Sequence, residues 1–288
     1  MRKPPDSMKR TPTALVTGAT SGIGEAVAYR LQARGYEVFA TGRNPAALDG
    51  LRSRGLHARF LDVTDEAAVG RIVEEIHTDY DGVDVLVNNA GFGFTSPLEQ
   101  AALSDVRVIF ETNVIGMLHL SQAVLPYMRA GRTGTIVNIG SIGGRFTTPG
   151  AGAYHISKYG VEALSLALRA EVKPFGVRVV LIEPTGVRTN FSERQINAKP
   201  ADADDDPYID FKRRYAETTR VLAKMPFASI DADTVARAVV RAVVADDPKP
   251  RYIVGASGKT FVLARLLLTD RMWDRLLMQR LRSTQECG

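Results

Sequence analysis

The chain has 288 residues, 45% of them apolar and 24% charged, which excludes a disordered polymer and suits one α/β domain with a sizeable core. The single cysteine, Cys287, excludes an intramolecular disulfide and a cysteine-rich metal site, and predicts a reducing, cytoplasmic setting. The net charge of +5 lies in the tails, in Arg2, Lys3, Lys9 and Arg10 at the start and in Lys259, Arg265, Arg271, Arg275, Arg280 and Arg282 near the end. The remainder is slightly acidic, so no nucleic-acid groove is expected.

Residues 1–11 lack the apolar segment of a signal peptide and read as a disordered extension. No run of about 18 apolar residues predicts a membrane span. From residue 12, short apolar runs predict strands at 13–18, 36–42, 57–63, 83–91, 134–140, 177–184 and 251–255. Amphipathic stretches predict helices at 23–34, 45–53, 65–79, 104–130, 152–173 and 231–245. Strands apolar along most of their length belong to a sheet covered on both faces. The alternation therefore predicts an α/β fold of Rossmann type, a doubly wound parallel sheet in a single domain at 12–258. The rhythm breaks at 190–226, where ADADDDP precedes a helix bearing Tyr208, Phe211 and Tyr215, and this insertion is read as a substrate lid. Residues 259–288 form a C-terminal helical extension. Its stripe of Leu263, Leu266, Leu267, Trp273, Leu276, Leu277 and Leu281 is expected to pack on the domain, with contact to a membrane surface as the alternative.

Three stretches carry chemistry. TGATSGIG at 17–24 follows the first strand and opens a helix, where Gly18, Gly22 and Gly24 permit a tight turn and a phosphate resting on the helix N-terminus. In AYHISKYG, Tyr154 and Lys158 stand four residues apart on one helical face, so an ammonium is expected to lower the phenol's pKa. Ser141 in NIGSIGG supplies a hydroxyl to hold a substrate oxygen while the tyrosine exchanges a proton. His155 points about 100° away from Tyr154 and reads as packing or surface. His57, His77 and His119 show no ligand spacing, so no metal site is expected.

TGATSGIG, Asp62-Val63, NNAG at 88–91, Asn113, Ser141 and Tyr154 with Lys158 occur in the order that resembles the short-chain dehydrogenase/reductase family, single-domain branch, over residues 12–190. The resemblance implies catalytic roles for Asn113, Ser141, Tyr154 and Lys158, with Asn113 anchoring a water that links Lys158 to solvent. It implies cofactor contacts from Gly18, Thr20, Ser21, Gly22, Ile23, Gly24, Asp62, Val63, Asn88, Ala90, Gly91, Tyr154, Lys158, Pro184, Val187 and Thr189. Gly42 stands where relatives using NAD tend to have Asp, and Arg43 follows, which favours NADP(H). Ser21 departs from the second basic residue of many NADP-using relatives. EPTGVRT at 183–189 departs by placing Thr185, not glycine, after Pro184.

The expected function is an NADP(H)-dependent oxidoreductase interconverting a carbonyl and an alcohol on a bulky apolar substrate, steroid- or retinoid-like. A catalytically silent NADPH-sensing protein and an epimerase or dehydratase of the related extended family are the alternatives. Relatives associate through the two long helices, so a homodimer or homotetramer is expected.

Overall fold

Residues 13–16 read Thr-Ala-Leu-Val, with no charged position to face water, and all four are buried. A strand of that kind needs cover on both faces. The computed structural model describes residues 10–188, 196–197, 206–224 and 229–282. Its elements, in chain order, are β1 (Thr13–Val16), α1 (Gly22–Gln32), β2 (Glu37–Gly42), α2 (Pro45–Ser53), β3 (His57–Phe60), α3 (Glu66–Tyr80), β4 (Val85–Asn88) and β5 (Phe94–Thr95). Then come α4 (Leu103–Phe110), a π-turn (Glu111–Ile115), α5 (Gly116–Gly131), β6 (Thr135–Ile139), α6 (Gly152–Val172), β7 (Arg178–Pro184), β8 (Gly186–Arg188) and β9 (Ile196–Asn197). The last are α7 (Ile209–Lys224), β10 (Ser229–Asp231), α8 (Ala232–Val244), β11 (Arg251–Val254), α9 (Ala256–Leu267) and α10 (Asp270–Arg282).

Seven strands form one parallel sheet in the order β11-β7-β6-β4-β1-β2-β3. Side-chain alternation splits the core into two layers. Ala14 and Val16 join Val27, Leu31, Leu48, Val235 and Val239 under α1, α2 and α8. Leu15 joins Val69, Ile76, Leu120, Val124 and Leu168 under α3, α5 and α6. The chain leaves β1 toward β2 on one side while β4 lies on the other, so the carboxyl ends of β1 and β4 flank a topological switch point. The expected doubly wound parallel sheet is the observed fold.

The long helix expected at 104–130 differs in detail. It runs from Leu103 to Gly131 with a π-turn at 111–115, because Asn113 turns inward to bond the backbone of Phe92. At Gly116 a Cβ would fall 2.8 Å from a Val63 methyl, so this helix also needs glycine to approach the loop after β3. An 18-residue stretch within its 29 residues has a mean hydropathy of 1.3, so by length and composition alone this helix could cross a membrane, although polar residues interrupt it. Half of that stretch is buried in the fold, where it packs as a core helix.

The C-terminal extension corrects a second expectation. Gly258 and Val262 of α9 and Trp273 of α10 are buried among the described residues, and Phe261 stacks on Phe146. Leu263, Leu266 and Leu267 face outward. Only Trp273, with half-buried Leu276 and Leu277, follows the predicted stripe; the side chain of Leu281 lies outside the description. Of the lid proposed at 190–226, β9 and α7 are described and α7 packs on α10, while residues 190–195, 198–205 and 225–226 lie outside the described residues.

Candidate active site

The glycine turn and the loop after β4 are knitted together at the switch point. The Thr17 hydroxyl accepts from the amides of Asn89 and Ala90, each at 3.0 Å. The Asn89 side-chain amide donates to the carbonyls of Thr17 and Gly18 at 2.9 and 3.1 Å. Gly18 and Gly22 have φ of +63° and +62°, a region that costs other residues about 1 kcal/mol or more. A Cβ on Gly18 would lie 2.9 Å from Ala90 Cα, and one on Gly24 would collide with the Gly18 carbonyl and the Asn89 amide. Ser21 caps α1 without a side-chain hydrogen bond, so the first amides of α1 are not taken by their own cap. The contrast is with α2, α3 and α8, whose caps Asn44, Asp65 and Asp231 each accept a backbone amide.

A cavity of about 650 Å³ opens above this turn and runs to the end of β6. Of the expected residues, Gly18, Thr20, Ser21, Gly22, Ile23, Arg43, Asp62, Val63, Ala90, Gly91, Ser141, Tyr154, Lys158, Pro184 and Val187 line it. Thr189 lies outside the described residues. Gly24 sits behind the wall as a packing glycine. Asn88 is a correction: it is buried, donates to Ser121 at 3.2 Å and to Asn138 at 3.0 Å, and does not line the cavity. The side chain that reaches the wall from NNAG is Asn89, because successive strand residues face opposite ways. Asn113 is also behind the wall. Its carbonyl oxygen accepts from the Phe92 amide at 3.0 Å, and its NH2 donates to Phe92 O at 2.9 Å and Ser157 Oγ at 3.0 Å.

At the adenine end implied by the resemblance, Arg43 Nη1 donates to Asp62 at 3.1 Å, although its side chain is 62% exposed. Burial pushes the Asp62 carboxyl up, but the Thr64 amide and hydroxyl together with Arg43 outweigh it and hold the pKa below the usual value. Gly42 has a steric role that composition did not reveal: a Cβ there would meet the Thr20 methyl at 2.6 Å.

At the opposite end, β6 stops at Ile139 and the chain turns through Ser141, whose Oγ accepts from Gly143 N at 3.0 Å. Helix α6 brings Tyr154 to the same point, within hydrogen-bonding reach of Ser141. Lys158, one turn on, is buried and donates to Ile139 O at 3.0 Å, with Nζ 5.8 Å from the centre of the Tyr154 ring. Burial draws the lysine down to about 8. Burial also raises the Tyr154 phenol, and the Ser141 hydrogen bond only eases that rise. The expected lowering of the phenol by Lys158 is thus not what this geometry gives: desolvation is the larger effect, and the ammonium is committed to a carbonyl.

His155 is neither surface nor base. Its Nε2 accepts from Thr148 N–H at 3.0 Å, which places the proton on Nδ1, and Nδ1–H donates to Gly143 O at 2.8 Å. Both ring nitrogens therefore staple the loop that carries Ser141. Thr185 is a further cavity residue that motif reading left unassigned. Its side chain lies in a notch where a Cβ on Gly255 or on Gly258 would collide with it. Glu183, next to it, turns into the fold and accepts from Arg251 at 2.9 Å, and Arg251 also grips Glu162 on α6. Among the described residues no His, Cys, Asp or Glu group has the arrangement of a metal site.

The family model for short chain dehydrogenase matches residues 12–200. The chain is 33% identical over 285 residues to the NADPH-dependent 3-dehydrocapnine reductase of Ornithobacterium rhinotracheale, spanning 95% of this chain and 99% of that one. It is 34% identical over 264 residues to the 3-ketodihydrosphingosine reductase of Bacteroides thetaiotaomicron, spanning 91% and 95%. A solved short-chain dehydrogenase from Streptomyces avermitilis superposes with a TM-score of 0.79 at 31% identity, covering 97% of this chain and 99% of that chain. With its sheet order, its glycine turn and these relatives, the chain belongs to the short-chain dehydrogenase family.

Proposed function

We propose that the protein is an NADP(H)-dependent oxidoreductase that interconverts a carbonyl and an alcohol on a bulky apolar substrate. The observation that carries this is the Ser141–Tyr154 hydrogen bond, with Lys158 one turn away, at the far end of a cavity that starts on the glycine turn. The residues present fit a dinucleotide: a cradle that a Cβ on Gly18 would fill, an uncapped helix start at Ser21, and Arg43 beside Asp62. When bound, NADPH supplies the hydride to the carbonyl carbon.

The chain's own residues handle the oxygen. Ser141 holds it by a hydrogen bond, and Tyr154 delivers the proton to it as negative charge develops. A phenol raised by burial is fully protonated at neutral pH, which suits the reductive direction. Lys158, buried one turn along α6 and held on the Ile139 carbonyl, places a cation near the Tyr154 ring as the phenolate forms. Asn113 acts as a positioning residue that ties Phe92 to α6. The wall includes Leu61, Phe92, Val108 and Ile139, and Phe211 and Tyr215 of α7 cover Gly150 beside α6, which supports an apolar substrate. Two of the relatives named above are named as reductases, one NADPH-dependent and one for a 3-keto compound, in keeping with carbonyl reduction. Steroid- and retinoid-like ketones or aldehydes belong to the same apolar class. Exposed Ile156, Tyr159 and Leu166 on α6 suit association into a homodimer or homotetramer, and a single cysteine suits the cytoplasm.

The test follows NADPH absorbance with a panel of steroids, retinal and long-chain 3-ketones, using the wild type and Tyr154→Phe. Turnover is expected to fall by about 10²- to 10⁴-fold in the variant, with the NADPH dissociation constant unchanged. A variant with wild-type kcat overturns the mechanism. NADPH binding without turnover of any carbonyl points instead to a sensor.

A further inference from the structure

Helices α9 and α10 divide their residues between two environments. Toward the domain, Phe146 meets Phe261 and Trp273, each with ring centres 5.6 Å apart, and anchors both helices beside the loop that follows Ser141. Away from it, Leu263, Leu266 and Leu267 are 57%, 75% and 74% exposed. Spacings of three and four residues set them on one face of α9. Lys259, one turn before Leu263, is exposed as well. The next helix exposes Arg271, Met272, Arg275 and Met278. Asp270 is engaged by Arg265 at 2.6 Å, which leaves Asp274 as the other described acid of α10.

We propose that this face docks the protein on an anionic membrane surface. The three leucines enter the boundary between headgroups and acyl chains, and Lys259, Arg271 and Arg275 pair with lipid phosphates. Leucines on one helical face with basic residues at its flank and on the adjoining helix are the composition that binds such an interface. Charge decides between this occupant and a second copy of the chain. A two-fold contact would bring the same patch of each copy together, and because 259–282 carries six basic residues against Asp270 and Asp274, two net-positive patches would face each other, which repels. Lipid phosphates neutralise them. The aromatic anchor fixes the face on the domain, so docking requires no rearrangement of the fold. The proposal does not depend on the redox chemistry.

The full-length protein is to be co-sedimented with vesicles of phosphatidylcholine, with and without phosphatidylglycerol, in about 0.1 M salt, where screening still permits surface attraction. Expected is at least tenfold greater binding to the anionic vesicles, reduced when salt is raised to about 0.5 M. Leu266→Ser with Leu267→Ser, and separately Arg271→Glu with Arg275→Glu, should each lower binding tenfold or more. Both should keep the NADPH dissociation constant, which reports that the domain is folded. Absence of binding by the intact protein overturns the proposal, as does binding of both folded variants at the wild-type level. A fall in oligomer mass by light scattering in the leucine variant, without vesicle binding by the wild type, assigns the face to a second copy instead.

Discussion

Lys158 donates to the main-chain oxygen of Ile139 at 3.0 Å, so the ammonium is tied to the end of β6 and not to the tyrosine it is usually paired with in sequence motifs. That anchor holds a cation in a buried place. A lysine whose pKa falls from 10.5 to about 8 is destabilising while it is protonated in both states, by roughly 3 kcal/mol.

The sign of its pH dependence follows. Below about 8 both folded and unfolded lysine carry the proton and the full penalty is present. Between about 8 and 10.5 the folded state releases its proton first, so stability attributable to this group rises with pH. Lys158→Met is therefore expected to raise the melting temperature at pH 7 by several degrees while abolishing turnover, a trade between activity and stability. The gap to wild type should narrow at pH 9.5. Thermal melts at both pH values check this, and a variant less stable than wild type at pH 7 contradicts it.

His155 gives a second pH-dependent prediction, on the opposite side of neutrality. Its pKa is lowered mainly by burial, against the Gly143 hydrogen bond, because the neutral ring with an acceptor at Nε2 is what Thr148 N–H requires. Stability from this neutral histidine is present above about 6.5 and is lost as pH falls through the depressed folded value. Protonation turns the acceptor into a donor facing another donor. His155→Leu should lower kcat by about tenfold or more by loosening the Ser141 loop, and cost about 2 kcal/mol through the unpaired Gly143 and Thr148 groups. The KM for NADPH should hardly move. A variant whose acid limb of kcat against pH is unchanged shows that the staple does not position Ser141.

The contrast between these two residues shows what the sequence could convey. The sheet was legible because its strands are uniformly apolar, and the Ser141, Tyr154 and Lys158 set was legible because helical spacing alone brings the last two together. Polar residues that serve the backbone were not. Asn88 and Asn89 are identical in type, and only the strand's alternation decides which faces the cavity. Asn113 reads as an ordinary helix residue until the π-turn shows it holding Phe92. In α9 the leucine stripe has the right period for a packed face, yet the aromatic partners of Phe146 decide which side is buried.

Arg43 is expected to carry most of a preference for NADPH over NADH. A charge-assisted hydrogen bond to a phosphate is worth about 1.5–3 kcal/mol, so Arg43→Ala should reduce the ratio of kcat/KM values by about ten- to a hundredfold. The effect will lie toward the lower end, because Asp62 already engages the guanidinium. The usual companion change to aspartate at Gly42 is a poor test here, since any Cβ at that position strikes Thr20. Steady-state kinetics with both cofactors decide the matter, and equal ratios in wild type and variant remove Arg43 from the explanation.

The final prediction concerns Thr185, which follows Pro184 in the cavity wall. Its bulk is accommodated because Gly255 and Gly258 leave space on the neighbouring elements, and Gly255 adopts φ +110° besides. A methyl at 258 would collide with the Thr185 methyl and lie 3.0 Å from Ile142. Gly258→Ala should therefore destabilise the protein by about 1–3 kcal/mol and disturb the wall beside Ser141, raising KM for the carbonyl substrate. Thr185→Gly removes the larger of the two clashes. If Thr185 and Gly258 share one volume, the double variant should recover much of the loss, and a double-mutant cycle of denaturant midpoints should show coupling of 1 kcal/mol or more, within the range of about 0.5–3 for residues in contact. The same compensation at Gly255 should be weaker, because an alanine there remains strained at positive φ whatever stands at 185. Additive effects of Gly258→Ala and Thr185→Gly would instead mean that α9 shifts independently of the β7 loop.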